Sequence, residues 1–371
     1  MDIRTKLALA LVSVALLGMA LLGAFAYKTS SSLLQEISIR QLDALAESKK
    51  RDLVKVQEGW RDQLRLIKSR TQLRAQLKDY LTTGNPQSIA AVVRIIEDAA
   101  TAVDEVDQIR ILSLERKVLA SYGRVAADYD TVLPQDDADV AYGDTFPNTT
   151  GGARVVFTSW LTMNGERIGI IEAVFDAGEL RSVTDDYTGL GETGEAMVLM
   201  KEDADTILVL NPLRHREGRE LTRIPLSEAT EAMKQALEPN KEHVAVHAVD
   251  YRGVDVWAAT RYLPELRWGL IVKVDEAEEE LRAKRLRDSL FDIAIALSAF
   301  AVVGGTLLGL YLAKPIHELA RLVERIRHGE SHLRADASGD DEIAYLAESL
   351  NELMDQWERD HPSSGKNDSH G

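Results

Sequence analysis

Gly189–Gly194 reads GLGETG, a literal G-x-G-x-x-G, and poses the first chemical question. Such a loop holds a pyrophosphate only when it joins a strand to a helix, so that backbone N–H groups and the helix dipole face the phosphates. Here the apolar run EAMVLM follows, which reads as a strand, and Glu192 and Glu195 would repel an anion. The loop is read as a tight turn between two folding units. His243 and His247 fall on one face of a strand pattern, and His328, Glu330 and His332 are closely spaced. Neither set has a third ligand at metal spacing, so both are read as surface groups and no cofactor or metal is expected. No nucleophile–base pair stands out, and an enzyme is not expected. With no cysteine in 371 residues, a disulfide framework, thiol redox chemistry and Cys-ligated zinc are excluded. The net charge of −16 argues against nucleic acid, which selects a basic face.

The remaining chemistry is small-molecule binding, and the elements that would position it lie between two uncharged runs, Leu7–Tyr27 and Ile293–Leu312. At about 1.5 Å per residue each spans roughly 30 Å, the thickness of the hydrocarbon layer. A cleaved signal peptide is the alternative for the first, because Ala24, Phe25 and Ala26 resemble a cleavage site. Its apolar run is longer than an h-region of about 7–15 residues, which favours an uncleaved helix. Arg4 and Lys6 precede the first run, and Lys314, Arg321, Arg325 and Arg327 follow the second, so both termini read as cytoplasmic. The basic run RAKRLR at 282–287 is the counter-signal, because it falls on the outer side.

Between these runs the periodicity changes twice. Ser30–Leu81 reads as one long helix with Leu53, Val56, Trp60, Leu64 and Ile67 in an apolar stripe. Asn85 can cap, and Pro86 can open, a second helix reaching about Val103, with Ile89, Val92, Val93, Ile96 and Ala100 on one face. QIRILSL and KVLASYG form a hairpin through Glu115 and Arg116, and ARVVFTSWLT with RIGIIEAVFD forms another. Residues 124–152 between them are too long for a plain connector and read as a functional loop. A shorter version follows: GEAMVLMKEDADTILVL as strand–turn–strand, LSEATEAMKQAL as a helix that Ser227 can cap, and three strands from VAVHAVDYRGVDVWAATRYL and LRWGLIVKVD. The two halves look like versions of one α+β unit without a clear internal sequence repeat.

IRILSLERKVLASYG, TGLGETGEAMVLM and YRGVDVWAATRYLPELRWGLIVKVD together resemble the bacterial double Cache sensors, which stack two PAS-like units on a long membrane-rooted helix. The resemblance covers most of residues 30–280 and implies an extracytoplasmic small-molecule sensor whose ligand sits in the membrane-distal half. It places the pocket between the central sheet and the long loop, with Tyr122, Arg124, Tyr129, Tyr142, Asp144, Trp160 and Asp176 as candidate ligand-binding residues. Arg124 could take a carboxylate in bidentate fashion, and the aromatic side chains would wall the site. Asp176 ends a strand where amino-acid-binding relatives use an Asp for the ligand's ammonium. The family's Arg-x-Trp-Tyr cluster is absent, which leaves the ligand open.

After Leu312, Ile316, Leu319, Leu322, Val323 and Ile326 form one stripe on a helix that Pro315 starts. Ile343, Leu346, Leu350, Leu353 and Trp357 form a second, across a linker with Gly329 and Leu333. Two short parallel helices cannot bury these stripes, but a dimer can, as a four-helix coiled coil. Pro315, Gly329, Asp341, Glu342, Leu346 and Asn351 resemble the pattern of a HAMP domain, with Ala344 where a Gly is common. The relay residues implied are Pro315, Leu319, Gly329, Leu333, Glu342, Leu346, Leu350 and Asn351. IHELARL around His317 resembles the H-E-L-R-T-P box of histidine kinases but lacks its Pro, and a phosphoacceptor is not expected.

The expected organisation is therefore α+β: a cytoplasmic stretch 1–6, a membrane helix 7–27, a double Cache sensor 28–287, a membrane helix 288–312, a HAMP parallel coiled coil 313–358 and a disordered tail 359–371. The distal sensor unit is placed at about 82–180 and the proximal one at about 181–276. The expected function is that of a homodimeric sensor in the bacterial inner membrane, with a small-molecule ligand and a cytoplasmic output protein acting in trans. One alternative is the sensor half of a histidine kinase or diguanylate cyclase whose catalytic domain is missing or separately encoded. The other is a non-signalling, solute-capturing membrane protein.

Overall fold

The computed structural model describes residues 3–103, 105–123, 125, 129, 131–137, 139–148, 151–218, 221–239 and 242–360. The chain divides into two compact units, Leu34–Arg282 and Met1–Leu33 together with Ala283–Gly371.

In the first unit the spine is helix α1, which runs over Ile3–Lys68. Leu42, Ala46, Leu53, Trp60, Leu64 and Ile67 form its buried stripe. The helix does not continue to Leu81. At Arg70 the backbone leaves the helical region (φ −59°, ψ 112°), and α2 (Thr71–Thr83) restarts so that Leu73 and Leu77 enter the core. Apolar spacing is helical on both sides of the break, so periodicity alone could not reveal it. Helix α3 (Pro86–Thr101) begins as its residues dictate: the Asn85 side chain accepts from the Gln87 amide at 3.0 Å, and Pro86 opens the first turn.

The first sheet contains β1 (Val106–Leu112), β2 (Val118–Tyr122), β3 (Ala141–Pro147), β4 (Ala153–Met163) and β5 (Glu166–Asp176). Its order is β2-β1-β5-β4-β3, with antiparallel neighbours throughout. Strand β3 lies inside the segment read as loop from the sequence. AYGDTFP lacks apolar alternation and carries a bulge between Tyr142 and Thr145; its pairing with β4 defines it, and its edge position tolerates Pro147. The β4–β5 turn uses Asn164 (φ 56°) and Gly165 (φ 81°), both in the left-handed region that a tight hairpin turn requires.

The second sheet is built from β6 (Glu195–Lys201), β7 (Thr206–Val209), β8 (Thr222–Pro225), β9 (His243–Val249), β10 (Asp255–Leu263) and β11 (Trp268–Asp275). Its order, β8-β7-β6-β11-β10-β9, repeats that of the first sheet with β8 added at one edge. The short helix α4 (Leu180–Thr184) precedes β6, and α5 (Glu231–Ala236) joins β8 to β9. Helix α5 is capped by Thr230, whose hydroxyl accepts from the Met233 amide at 3.4 Å, and not by Ser227. The residues just before it are held in a turn by Glu228 N–H donating to the Pro225 carbonyl, which delays the start.

One core joins the α1 stripe to the inner faces of both sheets. Trp60 stacks on Phe175 of the first sheet at 6.4 Å and meets Trp268 of the second edge-on at 6.5 Å. A single residue of the spine thus touches both lobes.

In the other unit, the N-terminal part of α1 and helix α6 (Glu276–Arg327) are long and apolar enough to cross a membrane, and their apolar stretches are almost entirely exposed. Their backbones approach closely: a Cβ on Gly309 would lie 2.7 Å from Ala8 Cα, and one on Gly305 would lie 2.9 Å from Val12 Cγ2. Small residues allow this approach where apolar attraction between helices is weak. Pro315 does not start a helix as its motif suggested; it sits inside α6, which runs on to Arg327. Helix α7 spans Glu342–Asp360, and the residues expected as a tail lie, from 361 on, outside the described residues.

Candidate functional site

Strand alternation assigns the faces of the first sheet. Ile109, Ile111, Phe157 and Ile171 point to α1 and its core. The opposite face carries Arg110, Thr158, Trp160 and Glu172, with Arg110 and Thr158 both directly across from Glu172. Glu172 is 0% exposed, an ionisable side chain in the middle of an apolar strand. A buried carboxylate persists only when it is compensated. Arg110 Nε donates to Glu172 Oε1 at 2.6 Å, the Tyr129 hydroxyl donates to the same oxygen at 2.8 Å, and the Thr131 hydroxyl donates to Oε2 at 3.1 Å. Tyr129 stacks on Phe146 at 5.3 Å and lies under the Arg110 guanidinium, 4.8 Å away. Burial, and then the neighbouring Glu172 charge, raise the Tyr129 hydroxyl well above its ordinary value and keep it a donor.

The segment that supplies Tyr129 and Thr131 is strapped across this face. Thr158 donates to the Val132 carbonyl and Trp160 Nε1 to the Pro134 carbonyl at 2.9 Å, while on the α1 face the Ser159 hydroxyl donates to the Asp139 carbonyl at 2.5 Å. Arg167 covers the Trp160 ring at 4.2 Å and pairs with Asp137. The strap also reaches α1, where Arg61 binds Asp139 Oδ1 at 2.7 Å and Lys68 donates to the Asp137 carbonyl at 3.2 Å. Two of the three partners of a fully buried carboxylate therefore come from a segment outside any regular element. A small molecule carrying hydrogen-bond donors could exchange with them.

Of the residues singled out in the sequence, Tyr129 and Trp160 meet on this face. Asp176 is on the same side at the end of β5, where its Oδ1 accepts from the Gly178 amide at 2.9 Å and starts a short 3₁₀ turn. Asp144 sits in the β3 bulge, accepting from the Thr145 amide at 2.8 Å. Tyr122 and Tyr142 are on the other face, opposite Ile109 and Phe157. Tyr142 donates to the Thr145 hydroxyl at 2.9 Å, has its hydroxyl pKa pushed up to about 12 chiefly by burial, and lines a separate cavity of about 280 Å³ with Gln57, Arg61, Asp139 and Glu265. Arg124 lies outside the described residues. Sequence reading missed Glu172, Arg110 and Thr131. A signal existed for the first two: each is a charge flanked by apolar residues, Ile109 and Ile111 in β1 and Ile171 and Ala173 in β5, and the charges are opposite.

The second lobe buries charge on its corresponding face. Lys273 is 1% exposed and binds Glu195 Oε2 at 3.1 Å and Asp250. The Tyr251 hydroxyl donates to Glu195 Oε2 at 3.1 Å, and Arg252 Nε donates to Asp250 Oδ2 at 2.6 Å. The GLGETG turn is tied down by Glu278, which accepts from the Thr193 amide at 2.9 Å and the Thr193 hydroxyl at 2.6 Å. Among the described residues no cluster of His, Asp or Glu could hold a metal.

In the other unit the link between α6 and α7 is pinned by Asn351, whose Oδ1 accepts from the Ala335 amide at 2.7 Å and whose Nδ2 donates to the Ala335 carbonyl at 2.9 Å. Arg334 pairs with Asp355 at 2.7 Å and Glu358 at 2.9 Å, and Gly329 turns the chain at φ 106°. The Asp341 side chain caps α7 by accepting from the Ala344 amide at 2.9 Å. Residues 307–356 match the HAMP domain family. No curated protein matches the chain. Among solved structures, the chain is similar to the extracellular domain of vpHK1S-Z8, described as a histidine kinase (11% identity, 66% of this chain and 96% of that one, TM-score 0.47). It is also similar to the ligand-binding domain of the Campylobacter jejuni chemoreceptor Tlp3 in complex with L-norvaline (10% identity, 66% and 94% covered, TM-score 0.44). A third is the ligand-binding domain of the Pseudomonas fluorescens chemoreceptor CtaA in complex with L-isoleucine (12% identity, 68% and 99% covered, TM-score 0.41).

Within the HAMP segment, Ala344, Ala347 and Met354 are buried, and Pro315, Leu319, Leu333 and Leu350 are half-buried. Leu346 and Leu353 remain 59% and 64% exposed, and Glu342 is exposed at the start of α7. The HAMP helices of one chain therefore leave an apolar face open.

Proposed function

We propose that this protein is a membrane-anchored sensor whose distal lobe binds a small molecule on the Glu172 face and whose HAMP domain passes the change to an output protein acting in trans. The observation that carries the reading is the join: α6 begins at the residue after β11, contains the second apolar run and extends into the segment that matches HAMP. The strap over Glu172 is the element that a ligand would displace or re-seat, and its contacts with Arg61 and Lys68 give it a grip on α1. The open apolar face at Leu346 and Leu353 fits a homodimer that buries it in a four-helix coiled coil. The basic flanks favour a bacterial inner-membrane location with the lobes outside. To drive such a device from 1:99 to 99:1, the ligand must prefer one arrangement by about 5.5 kcal/mol.

The test is a thermal-shift screen of the full chain in detergent against small metabolites, followed by Glu172→Gln and Asp176→Asn. A compound that stabilises the native chain and loses its effect in Glu172→Gln supports the site. Undiminished binding in both variants overturns the site assignment. For the relay, Leu346→Cys is a unique thiol in this cysteine-free chain. Disulfide cross-linking between copies in membranes is expected, and its absence overturns the dimer.

A further inference from the structure

In the unit formed by 1–33 and 283–371, the two apolar helices pack unevenly along their length. Ala8 meets Gly309 and Val12 meets Gly305 at backbone distance, and farther along Ser298 Oγ lies 3.8 Å from Met19 Sδ. Beyond that contact the helices enclose a groove of about 430 Å³, lined by Gly23, Ala26, Tyr27, Leu290, Phe291 and Ala294 among others, with Arg287 at its mouth. Apart from Arg287 and the Tyr27 hydroxyl, the lining is apolar. Lys284, Arg287, Phe291 and Ala294 recur at helical spacing, so Lys284 stands one turn beyond Arg287 on the groove side of α6. At this end Lys28, Lys284, Arg285 and Arg287 outnumber Asp288 and Asp292, and Arg287 reaches Asp288 only at 3.5 Å.

We propose that this groove holds one acyl chain of an anionic phospholipid, with the lipid phosphate bound by Arg287 and Lys284. Shape separates a lipid from a second copy of the helix pair. The groove is closed at its inner end by the Met19–Ser298 contact, whereas a helix about 10 Å across would need a seam running the length of the span. Charge points the same way. A second apolar helix laid in the groove would strip water from Arg287 and offer it nothing, while a phosphate gives it a charge-assisted hydrogen bond. Basic pockets between membrane helices suit anionic headgroups for this reason. The site also explains why a basic run stands on the side of the span where loop charge predicts few cations: those side chains are held there by a lipid and not by topology.

The experiment is native mass spectrometry of the full chain in detergent with equal amounts of dioleoyl phosphatidylglycerol and dioleoyl phosphatidylcholine. The native chain is expected to retain one phosphatidylglycerol in preference to phosphatidylcholine. Gly23→Leu should abolish retention of both, because a side chain at Gly23 meets nothing within 4 Å and grows into the groove. Arg287→Gln and Lys284→Gln should each reduce the preference about fivefold while leaving total lipid retention in place. Equal retention of the two lipids by the native chain, or unchanged retention in Gly23→Leu, overturns the proposal. So does efficient disulfide formation between copies carrying Phe291→Cys in phosphatidylglycerol membranes, which would place a second helix in the groove.

Discussion

The two lobes share a strand order and both bury charge on the face turned away from α1, yet they hold that charge differently. In the second lobe Lys273 and Glu195 lie on neighbouring strands, and Asp250, Tyr251 and Arg252 belong to a tight turn closed by Gly253 N–H to the Asp250 carbonyl and Asp250 N–H to the Val254 carbonyl. In the first lobe Arg110 and Glu172 are on strands, but Tyr129 and Thr131 come from a long strap. A network made wholly of regular elements and short turns opens only when the lobe unfolds. One completed by a strap opens at the cost of the strap alone. The same fold thus yields a strut in one lobe and a gate in the other.

The largest expected effect tests the strut. Lys273→Met leaves Glu195 and Asp250 buried without their cation and should cost about 4 kcal/mol, read as a lowered thermal midpoint of the full chain with ligand response retained in the folded fraction. Glu172→Gln in the gate keeps the shape but removes the charge facing Arg110; a loss of about 2 kcal/mol is expected, together with loss of the ligand response. A response that survives Glu172→Gln but not Lys273→Met would reverse the two roles. Tyr129→Phe and Tyr251→Phe sharpen the contrast. Each removes one hydroxyl bond worth about 1 kcal/mol, but only Tyr129→Phe should speed amide hydrogen exchange in its own segment, residues 131–140, leaving the 250–254 turn protected in its counterpart.

The smallest effect is in pH. Glu179, just after β5, is pushed up to about 7 by burial and then by its contact with Glu105, which also accepts from Gln63 of α1 at 2.9 Å. Its folded value lies above its ordinary one, so the stability it contributes is present at low pH and is lost as pH rises through about 7. Burial pushes Asp250 up, but Lys273 and Arg252 outweigh it and hold the carboxyl below its ordinary range, so its contribution is lost only as pH falls below about 4. Thermal midpoints should therefore decline gently as pH rises from the ordinary carboxylate range to about 7 and level off above it, and Glu179→Gln should flatten that slope without changing the acid limb.

Much of the fold was legible because its signals are local. The Asn85–Pro86 helix start, the β4–β5 hairpin and the amphipathic helices after the second apolar run each follow from a few neighbouring residues. What escaped was set by partners distant in sequence. Strand β3 exists because β4 offers it an edge, and the break at Ser69 and Arg70 exists because Leu73 and Leu77 must reach the core. The candidate site was half legible. Tyr129 and Trp160, chosen by residue type, lie together on one face, whereas Tyr122 and Tyr142 lie on the other, because a strand's register decides which face a side chain takes. Glu172 and Arg110 were visible as charges flanked by apolar residues, but their pairing depends on β1 lying beside β5.

Pro315 has a mechanical consequence. Lacking an N–H, it leaves the Tyr311 carbonyl without its amide partner inside an otherwise uninterrupted helix. A rod weakened at one rung bends there first. Tension or twist entering α6 from the apolar run is therefore concentrated at a single flexure just before the HAMP stripe that starts at Ile316, and stiffening that joint should blunt the response without touching any ligand or interface.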